Sequence, residues 1–225
     1  MACRNSLHGH PMSRLFLIVN DPLVAARLRT SLDGATGLQL VGWATTLAQA
    51  CEAIEELKPT LVLSDLELVD GPFVDVVGEL GKSRYGRPQT MVLAASLDDG
   101  RVMDVMRQGV DGYFLLNRST EPLAIVAQQV LAGESPMAPE IARQVKAHFE
   151  EHVWDANDVV GESQNSLRPS DAERSLLRLL ADGRTVEQIA HDSQTSAHAV
   201  GRRVRMLYRK LRYDTSASTL TLQLI

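Results

Sequence analysis

Cysteine is nearly absent. Cys3 and Cys51 are the two in 225 residues, too few for a disulfide framework and without the spacing of a zinc site. Nothing approaches the roughly 18 consecutive apolar residues that a membrane span needs. The polar stretch Met1–Pro11 has no apolar core, and the run Leu15–Val19 is too short for a signal peptide. Aromatic residues make up 4%, and Trp43 and Trp154 are too isolated for a stacking platform. No glycine loop of the nucleotide-cradling kind and no Ser-His-Asp arrangement is present, so the chain is not expected to be an enzyme. His148 and His152 stand at i, i+4 without a third ligand and read as a surface pair, so no metal is expected there. What is present is ordinary: 44% hydrophobic and 23% charged residues, which excludes wholesale disorder. The expectation is a soluble, reduced, cytoplasmic protein with no membrane partner and no cofactor.

The length favours two modest domains over one. The formal net charge of −5 conceals an asymmetry. Residues 1–166 hold 13 basic and 22 acidic residues, whereas residues 167–225 hold 10 and 6. Arg202, Arg203, Arg205, Arg209, Lys210 and Arg212 follow one another with no acid between Ala197 and Arg212. An acidic body with a basic end puts any nucleic-acid contact in the C-terminal part; a solvated basic face is the alternative.

The first 135 residues alternate short apolar runs with longer stretches of helical spacing. The runs LFLIV (15–19), LQLVGWA (38–44), LVLSD (61–65), TMVLAA (90–95) and DGYFLL (111–116) are too short for helices. Leu23, Leu28 and Leu32, then Ala50, Ala53, Ile54 and Leu57, then Val102, Val105 and Met106, then Leu123, Val126, Ala127 and Val130 mark helical faces. Cys51, among the second set, is expected in the core. Five strands alternating with helices predict an α/β fold, a doubly wound five-stranded parallel sheet of flavodoxin-like type. Its ligand site would lie at the carboxyl strand ends, near Asn20, Asp21, Asp65, Ala94–Ser96 and Leu116–Asn117.

The expected organisation is a leader over 1–13, with Met12 an alternative start, an α/β domain over 14–135, a linker with a helix over 136–166, and an all-α unit over 167–225. In that unit Ser170 and Glu173 fit a capping box, Leu176, Leu177, Leu179 and Leu180 give an apolar face, and Gly183 ends the helix. Thr185 and Ser196 are placed to cap two more helices. On the last of these, Val200, Val204, Leu207 and Leu211 form a buried stripe, and Arg202, Arg205 and Arg209 form a basic one. Such a helix, anchored on one side and basic on the other, suits a DNA major groove.

The segment PSDAERSLLRLLADGRTVEQIAHDSQTSAHAVGRRVRMLYRKL resembles the LuxR-type helix-turn-helix domain of NarL/FixJ-class response regulators. The resemblance implies a recognition helix over Thr195–Arg212, with Gly201, Arg202 and Arg205 at positions that face DNA and Arg209 and Lys210 beside them. It also implies a final helix near Ser216–Ile225 that supplies a dimer contact. Ser193-Gln194-Thr195 replaces the family's usual Leu-Gly-Ile/Val turn, and Ala199 and Gly201 replace a usual threonine and lysine, so a different base preference is expected.

Residues 14–133 resemble a response-regulator receiver, carried by KPTLVLSDLELVDG (58–71), PLVAARLRTSL (22–32) and GVDGYFLLN (109–117). The resemblance makes Asp65 the phosphoacceptor candidate. The rest of the family's pocket is degenerate: the first-strand acidic pair falls on Val19-Asn20 or Asn20-Asp21, the switch hydroxyl on Ala94 and the lysine on Leu116. The sequence thus predicts a homodimeric, double-stranded-DNA-binding transcription regulator with phosphorylation-independent or non-standard control. One alternative is a conventional receiver phosphorylated on Asp65 by a histidine kinase, with Mg²⁺ at Asp21 and Asp65. Another is an interaction protein that has lost specific DNA reading.

Overall fold

The computed structural model describes residues 12–80, 86–96, 101–117, 121–151 and 168–222, without the side chains of 78, 79 and 213–222. Strands β1 (Ser13–Ile18), β2 (Leu38–Ala44), β3 (Leu61–Asp65), β6 (Gln89–Ala94) and β7 (Gly112–Leu115) form one parallel sheet in the order β2-β1-β3-β6-β7. A small hairpin, β4 (Glu67–Leu68) and β5 (Gly71–Pro72), follows β3. The sequence gives it no apolar alternation, and it was not expected. Helices α1 (Pro22–Leu32), α2 (Leu47–Leu57), α3 (Val74–Leu80), α4 (Arg101–Arg107) and α5 (Leu123–Leu131) cover both faces.

Alternation along the strands sorts the core into two layers, because successive side chains leave a strand on opposite faces. Leu15, Leu17 and Val19 meet Ala25 and Leu28 of α1 and Val126 and Val130 of α5. Phe16 and Ile18 face the other way, towards Ala50 and Ile54 of α2, Val77 of α3 and Val102 and Met106 of α4. The β1–β2 register shifts between Leu15 and Phe16. A Cβ on Gly42 would lie 2.9 Å from both the Phe16 ring and Leu57 Cδ1, so the absent side chain makes room for the ring. Cys51 is half-buried rather than a core residue.

The C-terminal part comprises α6 (Pro139–Glu151), α7 (Asp171–Ala181), α8 (Val186–Asp192) and α9 (Ala197–Leu222). The expected linker helix is α6, and it is no free connector. Ile141, Ala142, Val145 and Phe149 are buried in one apolar cluster with Leu176, Leu177 and Leu180 of α7, and Arg143 donates to Ala181 O at 2.7 Å. The acidic run 155–166, read as a flexible linker, and His152 lie outside the described residues. Ser170 and Glu173 form the expected capping box, and Thr185 with Gln188 forms a second. Gly183 takes φ +85 after α7. Gln194, where the family's turn has glycine, takes φ +53, a left-handed conformation that costs a side-chain-bearing residue roughly 1–2 kcal/mol. The separate final helix expected near Ser216–Ile225 is corrected: α9 runs unbroken from Ala197 to Leu222. Tyr213–Leu222 holds no proline or glycine, so nothing in the chain stops the helix. Likewise β1 begins at Ser13, inside the expected leader.

Candidate nucleic-acid interface and receiver pocket

On α9 the apolar stripe is buried as expected, with Val200, Val204, Leu207 and Leu211 at 1% exposure or less. The basic face is divided. Arg202 and Arg209 are exposed. Arg205 instead turns onto the receiver: its Nη2 lies 2.8 Å from Asp111 Oδ1, and its Nη1 donates to Val130 O at 3.3 Å. Side-chain exposures of 22% for Arg205 and 14% for Asp111 put this ion pair in the strongly felt, partly desolvated regime. Lys210 also turns inward. Its Nζ lies 2.6 Å from Glu173 Oε2 and donates to Arg168 O at 3.0 Å, tying α9 to the start of α7. Burial raises the Glu173 carboxyl, but hydrogen bonds from Lys210 and Ser170 outweigh it and leave the group below its usual range. Gly201 is buried against Glu134, whose atoms a Cβ would meet at 2.9–3.0 Å, and Glu134 Oε1 lies 2.6 Å from His198 Nδ1.

The receiver therefore covers one side of the predicted recognition helix. Asp111, Glu134 and Tyr208 hold it there; Tyr208 donates to Pro136 O at 3.0 Å. Tyr113 accepts from the Ala138 amide, and Ser135 Oγ donates to Asp111 O at 2.6 Å, so the crossing from α5 to α6 is pinned from both sides. None of these residues stood out in the sequence. Asp111 precedes a strand, and its partner lies 94 positions away, beyond the reach of any local periodicity.

The carboxyl ends of the strands gather Asn20, Asp21, Asp65 and Ala94 as expected. Asp65 Oδ2 accepts from the Asn20 amide at 2.9 Å. Burial raises the Asp65 carboxyl, the Asn20 hydrogen bond opposes this, and the charge of Asp21 adds to it. The other members are employed structurally. Asn20 Nδ2 donates to Glu67 O at 2.6 Å and its Oδ1 accepts from the Val69 amide at 3.1 Å, fastening the hairpin. Asp21 caps α1 by accepting from the Leu23 amide at 2.8 Å. Ala94 is 2% exposed and offers no hydroxyl, and Leu116 packs against the apolar layer under α1 and α5. Among the described residues no three His, Cys, Asp or Glu side chains gather into a metal site. Of the two carboxylates expected to hold Mg²⁺, Asp21 already serves as a helix cap.

A five-stranded parallel sheet in this order, followed by a helical C-terminal part, is a fold shared with solved proteins. No protein-family model matches the chain. Among named proteins, it is similar to the nitrate/nitrite response regulator NarL of Escherichia coli K12, 27% identical over 203 residues and 88% of each chain. It is also similar to the transcriptional regulatory protein DesR of Bacillus subtilis, 22% identical over 93% of this chain and 96% of that one. RcsB from Salmonella enterica serovar Typhimurium, solved bound to a promoter with a phosphomimetic, shares the fold at a TM-score of 0.53 and 16% identity, over 89% of this chain and 92% of RcsB. Similarity along nearly the whole chain supports a NarL/FixJ-class response regulator. No described helix is long and apolar enough to cross a membrane.

Proposed function

We propose that the chain is a DNA-binding transcription regulator of the two-component response-regulator type, working as a homodimer on double-stranded DNA. The observation that carries this reading is α9: a helix anchored by a buried stripe, with Arg202 and Arg209 exposed and Arg205 held by the receiver. In this arrangement the helix is not free to enter a major groove, so DNA binding requires α9 to leave Asp111 and Glu134. Gly201 and Arg205 then join Arg202 and Arg209 on the reading face, while Lys210 stays behind as a strut on Glu173. Relatives that are named as transcription regulators, and RcsB bound to its promoter, support the same reading.

The test compares the full chain with Asp111→Asn against a random duplex pool over a range of salt. Asparagine keeps an acceptor for the Thr90 amide but removes the charge that holds Arg205. Both proteins should bind with a steep inverse salt dependence, and the variant about tenfold more tightly, within the range of ordinary coupling energies. Salt-dependent binding by neither protein sinks the DNA reading. Equal binding by both sinks the closed state.

The proposal includes control that does not run through Asp65 phosphate. The positions that would supply a hydroxyl and an ammonium to a phosphoryl group hold Ala94 and Leu116, which offer neither, and each missing charge-assisted contact is worth about 1.5–3 kcal/mol. After incubation with acetyl phosphate and Mg²⁺, intact mass is expected to show no stoichiometric phosphorylation, and Asp65→Asn should leave DNA affinity within about twofold. One phosphoryl group per chain, absent in Asp65→Asn and accompanied by tighter DNA binding, would restore the kinase-driven alternative.

A further inference from the structure

Between α1, the end of β7 and the start of α5 lies a cavity of about 740 Å³. Its floor is apolar. Leu28 and Leu123 are buried in its wall, while Val24, Phe114 and Leu116 line it half-buried and pack against the same layer of the core. Elsewhere in that layer the side chains of the sheet are closed over by α1 and α5; here they are not. Apolar surface left facing water forgoes the stabilisation that burial gives, so an occupant with an apolar body is favoured.

The polar groups of the cavity select the other end of that occupant. Residues 1–166 hold 22 acidic and 13 basic residues, yet the lining includes no carboxylate and a single cation, Arg27. Its guanidinium has no hydrogen-bond or ion-pair partner among the described residues, and the Asn117 side chain has none either. Thr30 and Ser31 have spent their hydroxyl protons on α1, donating to Ala26 O at 3.1 Å and to Leu28 O at 2.8 Å. The available side-chain donors are therefore Arg27 and Asn117. A group that accepts, and carries one negative charge, complements them.

We propose that this cavity is a binding site for an amphipathic monocarboxylate of the medium-chain fatty-acid kind, its chain over Leu28, Phe114, Leu116 and Leu123 and its carboxylate at Arg27. One guanidinium fork matches one carboxylate, oxygen for oxygen. A phosphate monoester would bring a second negative charge that no lining residue compensates, beside leucine and phenylalanine. The volume falls within the range of about 300–1,000 Å³ usual for small-molecule sites.

Titration calorimetry with sodium decanoate, below micelle-forming concentrations and without DNA, tests this on the full chain. Its outcome is independent of whether the protein reads DNA. One saturable site is expected, with octanoate about tenfold weaker for the loss of two buried methylenes. Arg27 is exposed, so Arg27→Gln should weaken decanoate only about threefold, as loss of an exposed ion pair does. Ala26 is exposed at the cavity wall, so Ala26→Trp should fold as the parent does and lower the affinity at least tenfold by occupying the space. No saturable binding up to the millimolar range, or binding that either variant leaves unchanged, overturns the proposal. Sedimentation of the parent and Ala26→Trp proteins identifies the rival occupant. An unchanged oligomeric state is expected; a dimer that the substitution splits, with no decanoate bound, would put a second copy of the chain in the cavity and overturn the proposal.

Discussion

A chain carrying Arg202→Ala and Arg205→Ala is expected to lose DNA affinity by about threefold or more, and the slope of log affinity against log salt should flatten by about two. The two substitutions act differently. Arg202 is exposed, so its removal subtracts only from the DNA complex. Arg205 is bound to Asp111 in the closed form, so its removal also frees α9 and offsets part of the loss. Opening is worth about tenfold, whereas each lost arginine contact is worth about 1–3 kcal/mol, so the loss wins. Making the pair of changes in an Asp111→Asn chain removes the offset and should give the larger drop. Filter binding over a salt series measures both quantities. Unchanged affinity and slope would show that another surface contacts DNA.

Phe16→Ala is expected to cost the receiver about 3–5 kcal/mol, against total stabilities of roughly 5–15 kcal/mol for ordinary domains. The ring is 1% exposed and lies in the layer facing α2, α3 and α4. Gly42 leaves space on the neighbouring strand that the ring shares with Leu57, so truncation opens a cavity that the sheet backbone cannot close. Urea unfolding should show a lower midpoint with little change of slope. A loss below about 1 kcal/mol would mean that the site collapses around the smaller side chain.

The sheet was legible because its central strands β1, β3 and β6 are short apolar runs buried on both faces, and such runs need no long-range information to be recognised. Capping residues were equally plain: Ser170 with Glu173, and Thr185, act within three positions of themselves. The hairpin of Glu67–Leu68 with Gly71–Pro72 was not, since two-residue strands carry no periodicity. The unbroken course of α9 was also hidden, because a family resemblance divided what the local residues leave continuous. In the receiver pocket the sequence showed which groups were missing but not what the survivors do. Asn20 and Asp21 turned out to hold a hairpin and a helix end. The closure of α9 by Asp111 and Glu134 was illegible for a simple physical reason. Arg205 and Lys210 look alike on a helical wheel, and whether a basic side chain meets water or a carboxylate depends on what the rest of the chain brings beside it.

The 26 residues of α9 form a rod about 39 Å long, at 1.5 Å per residue. Arg202 stands near one end, and the last turns stand at the other. Tilting such a rod by about 10° about one end carries the opposite end through roughly 7 Å, comparable to the spacing of two base pairs. Whatever grips the last turns therefore acts as a hand on a lever. It aims the arginines without touching them, and small changes in the grip translate directly into which bases they meet.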